Sequence, residues 1–230
     1  MNEHHIIQLG WTNSYLIEGD NGYILIDAGI YGKEEVFFKY LDKKNIRPHD
    51  ISLIIITHAH LDHVGSLHAI KERCGCSVVI HEKDASLLVE SKISITQGTQ
   101  FVAKLISWLA SSLPSTVDYL FGFKPVNPEI LVTDEGMKLH DFGFPAIIIP
   151  TPGHTPGSIS ILTDFGDAYV GDIAYNYYPF GLGPYFPPFA MNKNLIYLSW
   201  QKILNMGALK IFPSHGKPFD SEILRQKIEE

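Results

Sequence analysis

One short segment constrains the fold of this chain more than any other. A run of apolar and mostly β-branched residues over 51–56 is too short to span a membrane and predicts a buried strand. The motif HAHLDH follows almost directly, and its candidate metal ligands are His58, His60, Asp62 and His63. In extended chain, residues two apart point the same way, so His58 and His60 can reach one ion. Asp62 and His63 come where the chain must turn, and they can face a second ion.

Other segments place metal-binding residue types directly after predicted strands. The loop PTPGHTPGS presents His154, the sequence Val-Gly-Asp ends a strand at Asp172, and Ser-His-Gly places His215 after a third strand. Asp27 also closes a strand; it can orient a ligand histidine or cap a helix. The candidate ligands are therefore His58, His60, Asp62, His63, His154, Asp172 and His215.

Length and composition favour one α/β domain. The chain has 230 residues, of which 45% are hydrophobic, enough for a sizeable core in a single domain spanning residues 1–230. Its net charge of −7 and the lack of a basic block argue against a nucleic-acid partner. The N-terminus does not resemble a secretory signal, so we expect a cytoplasmic protein. One residue separates Cys74 from Cys76, which makes an unstrained disulfide difficult, so we expect both thiols to be reduced.

Predicted strands and helices alternate along the chain. Strands are predicted at 5–9, 14–18, 23–27, 51–56, 77–80, 130–132, 137–139, 146–149, 158–162, 168–170 and 209–212. Helices are predicted at 33–44, 64–73, 82–90, 193–205 and from 220 onward. The first three strands are expected to form an antiparallel meander. The βαβ alternation after them predicts helices packed on a sheet, and the similar order of the two halves is compatible with two half-domains packed sheet to sheet.

Two apolar segments are candidates for the substrate wall. Residues 91–126 are predicted to be a helical insertion, either a lid over the site or a pair of helices that merely packs. Residues 174–189 form an aromatic-rich loop that either lines the site or closes a dry core. Neither segment contains arginine, which favours an uncharged or acyl-bearing small molecule over a polyanion. Tyr175, Tyr177 and Tyr178 are candidate oxyanion donors, and Tyr175 is the one we assign.

The motifs HAHLDH, GHTPGS, GD and SHG occur in an order that resembles the metallo-β-lactamase superfamily. The resemblance implies a four-layer αβ/βα sandwich of two mixed sheets, with the site at one edge between them. It also implies a first ion held by His58, His60 and His154, and a second held by Asp62, His63 and His215. Asp172 would bridge the two ions.

The bridging residue distinguishes branches of this family. True β-lactamases typically carry Cys or Ser at the position of Asp172, whereas glyoxalase II-like thioesterases, lactonases and RNase Z-like nucleases resemble this chain in carrying Asp. β-Lactam hydrolysis is therefore disfavoured. His60 stands where diiron oxygen-reducing members tend to have Glu, which disfavours that redox branch as well.

These observations predict a hydrolase with two divalent ions, expected to be Zn²⁺, although nitrogen and oxygen ligands also suit Fe or Mn. Two such ions lower the pKa of a shared water from 15.7 to about 7, which generates a hydroxide nucleophile that Asp62 would orient. We expect an ester, thioester or lactone with an apolar portion as substrate. The alternatives are phosphodiester hydrolysis with the same metal pair, a mononuclear iron dioxygenase acting on a sulfur substrate, and a metal-stabilised interaction domain without catalysis.

Overall fold

The computed structural model describes residues 4–113, 116–117, 122–176 and 185–230. Their strands form two six-stranded mixed sheets. The first sheet contains, in spatial order, β1 (His4–Gln8), β2 (Asn13–Gly19), β3 (Gly22–Ile26), β4 (Ile51–Ile55), β5 (Ser77–His81) and β6 (Ile130–Val132). The second contains β12 (Phe219–Asp220), β11 (Lys210–Pro213), β10 (Asp167–Gly171), β9 (Ile159–Thr163), β8 (Ala146–Pro150) and β7 (Met137–Lys138).

Helices flank the two sheets. They are α1 (Glu34–Lys44), α2 (Leu61–Val64), α3 (Leu67–Cys74), α4 (Glu82–Val89), α5 (Phe101–Ser112), α6 (Lys193–Asn205) and α7 (Glu222–Glu229), with short 3-10 helices at Pro48–Asp50 and His140–Phe142. Strands β1 to β3 pair antiparallel, which confirms the predicted meander, and β3 to β6 pair parallel. In the second sheet, β10 and β11 are parallel and the other pairs are antiparallel.

Alternating side chains on the strands build three packed layers of core. Ile24 and Ile26 of β3 point between the two sheets, whereas Leu25 packs beneath the helices that cover the first sheet. On the far side, Trp200 and Ile203 of α6 pack on the second sheet. Each fully buried aliphatic side chain of this kind contributes about 1.5–3 kcal/mol. The order helix, sheet, sheet, helix confirms the predicted four-layer sandwich.

Helix α6 also fixes the chain beside the second sheet. Its first turn is capped by Asn192, whose side chain accepts hydrogen bonds from the backbone N–H groups of Asn194 and Leu195 at 3.0 and 3.1 Å. The indole of Trp200 is buried and donates to the carbonyl oxygen of Ile173 at 2.7 Å. Because Ile173 follows Asp172 directly, this bond holds the backbone next to a candidate metal ligand.

Several boundaries differ from the sequence-based predictions. The helix predicted at 64–73 is α3, which begins at Leu67, and the short helix α2 before it, which carries Asp62 and His63, was not predicted. The short strand β12 was not predicted, because a strand of two residues is too short to show an alternating pattern in the sequence. Helix α7 therefore begins after β12, at Glu222, rather than at residue 220. Cys74 and Cys76 are free thiols, as expected.

The insertion packs against the chain that follows Asp172. Thr99 donates from its backbone to the carbonyl oxygen of Pro188 at 2.7 Å, and Ala190 donates to that of Gln97 at 2.9 Å. Residues 114–115 and 118–121 of the insertion and residues 177–184 of the aromatic loop, which include Tyr177 and Tyr178, lie outside the described residues. Within the part of the chain that is described, no helix has both the length and the apolar character that crossing a membrane requires.

Candidate metal centre

The seven candidate ligands meet where strands of both sheets end. Strand β4 leads to His58 and His60, and the short helix α2 carries Asp62 and His63. From the second sheet, the loop after β8 presents His154, while β10 and β11 lead to Asp172 and His215. These side chains form three overlapping groups whose ligand atoms lie within 4.8 Å of one another: His58, His60 and His154; His58, His63 and Asp172; and Asp62, His63 and His215.

The first group is made of three imidazoles. His60 Nδ1 lies 3.0 Å from His58 Nε2 and 2.8 Å from His154 Nε2, so one nitrogen of each ring points at the same place. Nitrogen ligands converging in this way are typical of sites for Zn²⁺ and other transition metals. The expectation that two residues spaced like His58 and His60 face one ion agrees with this geometry.

Asp62, His63 and His215, which we call the second group, combine a carboxylate with two imidazoles. His63 Nε2 lies 3.8 Å from Asp62 Oδ1, and His215 Nε2 lies 3.3 Å from Asp62 Oδ2. Among the described residues, His63 Nε2, His215 Nε2 and Asp172 Oδ1 are buried atoms without a hydrogen-bond partner. Unpaired buried polar atoms are costly, and three of them facing one another fit a bound cation. The donor set and these orphaned atoms therefore suit a divalent metal.

The carboxylate of Asp172 stands between the two groups. Its Oδ2 lies 3.6 Å from His154 Nε2 and 4.0 Å from His58 Nε2. Its Oδ1 lies 3.4 Å from both His63 Nε2 and His215 Nε2. One oxygen thus faces each group, which is the arrangement that a bridging carboxylate needs.

Each histidine of the cluster is oriented by a hydrogen bond to a group that is not itself a candidate ligand. One ring nitrogen faces the cluster and the other is hydrogen-bonded to a group behind it, which fixes the orientation of the ring. The outer partners are the Thr57 hydroxyl for His58, the Thr96 hydroxyl for His60, the Asp27 carboxylate for His63, the Phe189 carbonyl for His154 and the Trp11 carbonyl for His215.

The two groups differ in electrostatics. Burial, followed by the neighbouring His154, lowers the pKa of His60 to about 3, and burial and nearby histidines lower that of His58 as well. Burial also acts to lower the pKa of His215, but Asp172 and Asp62 outweigh it and raise the pKa to about 10. Metal ligation requires neutral imidazole, so a cation meets ready ligands in the first group and displaces protons from the second.

The structure decides between the two roles that the sequence allowed for Asp27, orienting a ligand histidine or capping a helix. Its buried carboxylate accepts from His63 Nδ1 at 2.7 Å and from the backbone N–H and hydroxyl of Thr57 at 2.8 and 2.9 Å. Ser214 donates to it at 3.2 Å. Asp27 has a φ of 59°, in the left-handed region that Asp and Asn tolerate better than most residues. It orients a candidate ligand rather than capping a helix.

Asp27→Asn tests this role while keeping the backbone conformation. The amide that replaces the carboxylate carries no charge and accepts through one oxygen, so the hydrogen bond that orients His63 weakens. We expect the affinity for Zn²⁺ to fall about 10- to 100-fold, the usual cost of losing an outer partner of a ligand. Titration against a chromophoric chelator measures it. The exposed turn variant Asp20→Asn is the matched control, and equal affinity in the two variants would contradict the assignment.

Sequence reasoning missed Asp84, whose carboxylate connects two ligand-bearing loops. It is buried and accepts from the backbone N–H of Ala59 at 3.2 Å, the hydroxyl of Thr155 at 2.8 Å and the backbone N–H of Gly157 at 3.0 Å. A Cβ at Gly157 would lie 2.5 Å from this carboxylate, so only glycine allows the approach. In the sequence, Asp84 is simply an acid in the first turn of a helix, and no local pattern marks it.

A cavity of about 760 Å³ opens above the cluster. Its floor includes His60, Asp62 and Asp172, and part of its wall comes from Ile106 and Ala110 of the insertion helix α5. Thr96 connects the two, because its hydroxyl lies 2.9 Å from His60 Nε2. The insertion and the chain after Asp172 therefore pack against each other, and both contribute described side chains to the wall of the cavity.

Comparisons with known proteins show the family and agree with the fold. A family model described as the metallo-beta-lactamase superfamily matches residues 9–215. A protein of Methanocaldococcus jannaschii named as a probable metallo-hydrolase is 33% identical over 213 residues, covering 90% of this chain and 88% of the relative. The crystal structure of an archaeal metallo-beta-lactamase superfamily protein from Sulfolobus tokodaii aligns with a TM-score of 0.70 at 20% identity, covering 100% of this chain and 86% of that one. A protein crystallised in a di-iron-bound form aligns with a TM-score of 0.68 at 22% identity, covering 96% of this chain and 97% of that one.

Proposed function

This chain belongs to the metallo-β-lactamase superfamily and is a metal-dependent hydrolase, and from that premise we propose that it uses two metal ions to cleave an ester, thioester or lactone with an apolar portion. The observation that carries the proposal is the placement of Asp172, with one oxygen facing each group of histidines. A carboxylate in this position favours a bridged pair of ions over a single ion. It also favours the glyoxalase II and lactonase-like branch over the β-lactamases.

In this proposal the first ion would be held by His58, His60 and His154 and the second by Asp62, His63 and His215, and Asp172 could serve both. Zn²⁺ is the metal we assign, and Fe or Mn would suit the same ligands. A pair of divalent ions supplies Lewis acidity and lowers the pKa of water to about 7.

The chain's own residues position the reacting groups. Asp62 Oδ2 accepts hydrogen bonds from the indole of Trp11 at 3.1 Å and from the hydroxyl of Thr12 at 3.3 Å. These bonds fix the carboxylate at the cavity floor, where it orients a water molecule and accepts its proton. The insertion, which we place within the same single domain, supplies the apolar wall for the substrate.

Cleavage assays on a substrate panel test the proposal. Zinc-loaded protein is expected to hydrolyse acyl esters, thioesters or homoserine lactones faster than bis(p-nitrophenyl) phosphate, and to lose this activity after chelation. The metal content, measured by elemental analysis, is expected to approach two ions per chain. A protein that cleaves the phosphodiester faster than every carboxyl substrate would support phosphodiester hydrolysis instead, and persulfide-dependent oxygen uptake by an iron-loaded protein would support the dioxygenase.

Tyr175 acts through Asp172 in this proposal. Its buried hydroxyl donates to Asp172 Oδ2 at 2.5 Å, and its ring stacks on His215 with the centroids 4.6 Å apart. Tyr175→Phe keeps the stacking and removes the donor, so we expect about 10- to 100-fold weaker metal binding, as for other outer partners of ligands. Tyr185→Phe is the control, because that ring packs on Phe219 instead. A kcat loss at saturating metal would mean instead that Tyr175 serves the reaction directly, as the sequence predicted.

A further inference from the structure

The cavity above the metal cluster has a polar floor and aliphatic walls. The candidate ligands lie on the floor, and the insertion contributes Ile93, Ile95, Ile106 and Ala110 to the wall. The volume of about 760 Å³ falls within the roughly 300–1,000 Å³ of sites that bind drug-sized ligands. An acetyl group or a small lactone ring would leave most of this space unfilled.

Two of the polar side chains on the insertion side of the wall, Ser107 and Thr96, are already hydrogen-bonded. Ser107 donates through its hydroxyl to the backbone oxygen of Thr96 at 2.8 Å, and the Thr96 hydroxyl pairs with His60. Among the described residues that line the cavity, the acidic and histidine side chains all belong to the metal cluster on the floor, and the insertion contributes no Lys, Arg, Asp or Glu. A phosphate or carboxylate on the distal part of a ligand would therefore be desolvated there without a protein partner.

The aromatic and aliphatic parts of the lining have different origins. Trp11 and Phe189 hydrogen-bond to the ligand residues Asp62 and His154, so their positions belong to the floor. The insertion supplies aliphatic side chains, and Ile106 and Ala110 are four residues apart, which places them one above the other on the same face of α5. A flexible hydrocarbon chain running along this row would be buried against it.

We propose that this cavity selects a medium-length unbranched acyl chain, octanoyl to dodecanoyl, which lies along the inner face of α5 while its carbonyl group sits at the metal cluster. The inference rests on the proposed hydrolytic function and narrows its substrate class. Ala110 and Ile106 then determine specificity, because their side chains set the room available to the distal methylenes.

A series of 4-nitrophenyl esters from acetyl to dodecanoyl, used below their micelle-forming concentrations, tests the inference. Burying one methylene is worth about 0.8 kcal/mol, so kcat/KM is expected to rise by up to about fourfold per added methylene and to peak between octanoyl and dodecanoyl. Ala110→Phe adds a ring inside the cavity and is expected to lower the decanoyl-to-acetyl ratio of kcat/KM at least about tenfold. Ser111→Phe adds the same ring at the next, exposed position and is the matched control.

A binding measurement separates this inference from the proposed function. Decanoate is expected to displace 11-(dansylamino)undecanoic acid from the zinc-loaded protein. Ala110→Phe is expected to raise the decanoate concentration needed for half-displacement at least about tenfold relative to Ser111→Phe. Ester cleavage that is indifferent to chain length, together with no displacement, would overturn the inference and leave the hydrolase intact. Displacement that depends on Ala110, without cleavage of any ester, would retain the acyl-binding cavity and overturn the proposed hydrolysis.

Discussion

Asp172→Asn is expected to lower kcat/KM on the order of 10³-fold and to reduce the metal content from about two ions per chain towards one. The substitution keeps the shape of the side chain but removes the charge that faces both histidine groups, Oδ1 towards His63 and His215 and Oδ2 towards His154. Stabilisation of developing charge by metal ions is worth several kcal/mol, and each 1.36 kcal/mol is a factor of ten in rate.

The measurement combines steady-state kinetics with elemental analysis of the purified variant. Asp167→Asn is the matched control, since Asp167 begins the strand that Asp172 follows and lies away from the cluster. It is expected to retain the wild-type metal content. If Asp172→Asn also retained two ions and most of its activity, the bridging role would have to be abandoned.

Asp84→Ala is expected to destabilise the protein and to weaken metal binding at the first group. Removing its carboxylate leaves the backbone N–H groups of Ala59 and Gly157 without an acceptor in a buried environment, whereas the hydroxyl of Thr155 keeps Ser158 as a partner. Each unpaired group costs about 1–3 kcal/mol, so for the two N–H groups we expect a loss of roughly 2–6 kcal/mol in the free energy of unfolding. The loops that carry His58, His60 and His154 would then be less firmly placed, and the affinity for Zn²⁺ should fall about 10- to 100-fold.

Denaturant unfolding of the metal-free protein measures the stability effect, and chelator competition measures the affinity. Glu82→Ala is the control, because Glu82 is an exposed acid in the same first turn of α4 and shares its interaction with the helix terminus. Asp84→Asn should fall between the two, since its amide accepts through one oxygen only. Similar stability for Asp84→Ala and Glu82→Ala would show that the carboxylate does not support the loops.

The proposed acyl selectivity has a structural counterpart in the way the insertion meets the cluster. Thr96 contacts His60 through its hydroxyl and Ser107 through its backbone oxygen, and Ser107 belongs to α5. The helix that would contact the substrate is therefore two hydrogen bonds away from a candidate ligand. Substitutions on the inner face of α5 are expected to affect chain-length preference first, because the bonds to His60 do not pass through Ile106 or Ala110.

The sequence by itself determined the kinds of ligand and the strands that deliver them. The apolar run ending at Ile56 and the motif from His58 to His63 are local signals, because strand periodicity and residue type are both read over a few positions. The Gly- and Pro-rich loop around His154 and the strand ending before Asp172 are equally local. The family resemblance added the pairing of these residues into two groups, and the geometry of the cluster is compatible with that pairing.

The tertiary structure decided which groups support and surround the ligands. Asp84 meets Thr155 across 71 residues of sequence, and Asp27 meets Ser214 across 187. Such contacts depend on how the two sheets pack and on where each loop emerges, and an isolated aspartate in a helix turn or at a strand end looks the same with or without them. The aliphatic cavity likewise exists because the insertion folds back over the cluster, which hydrophobic periodicity along one segment cannot specify.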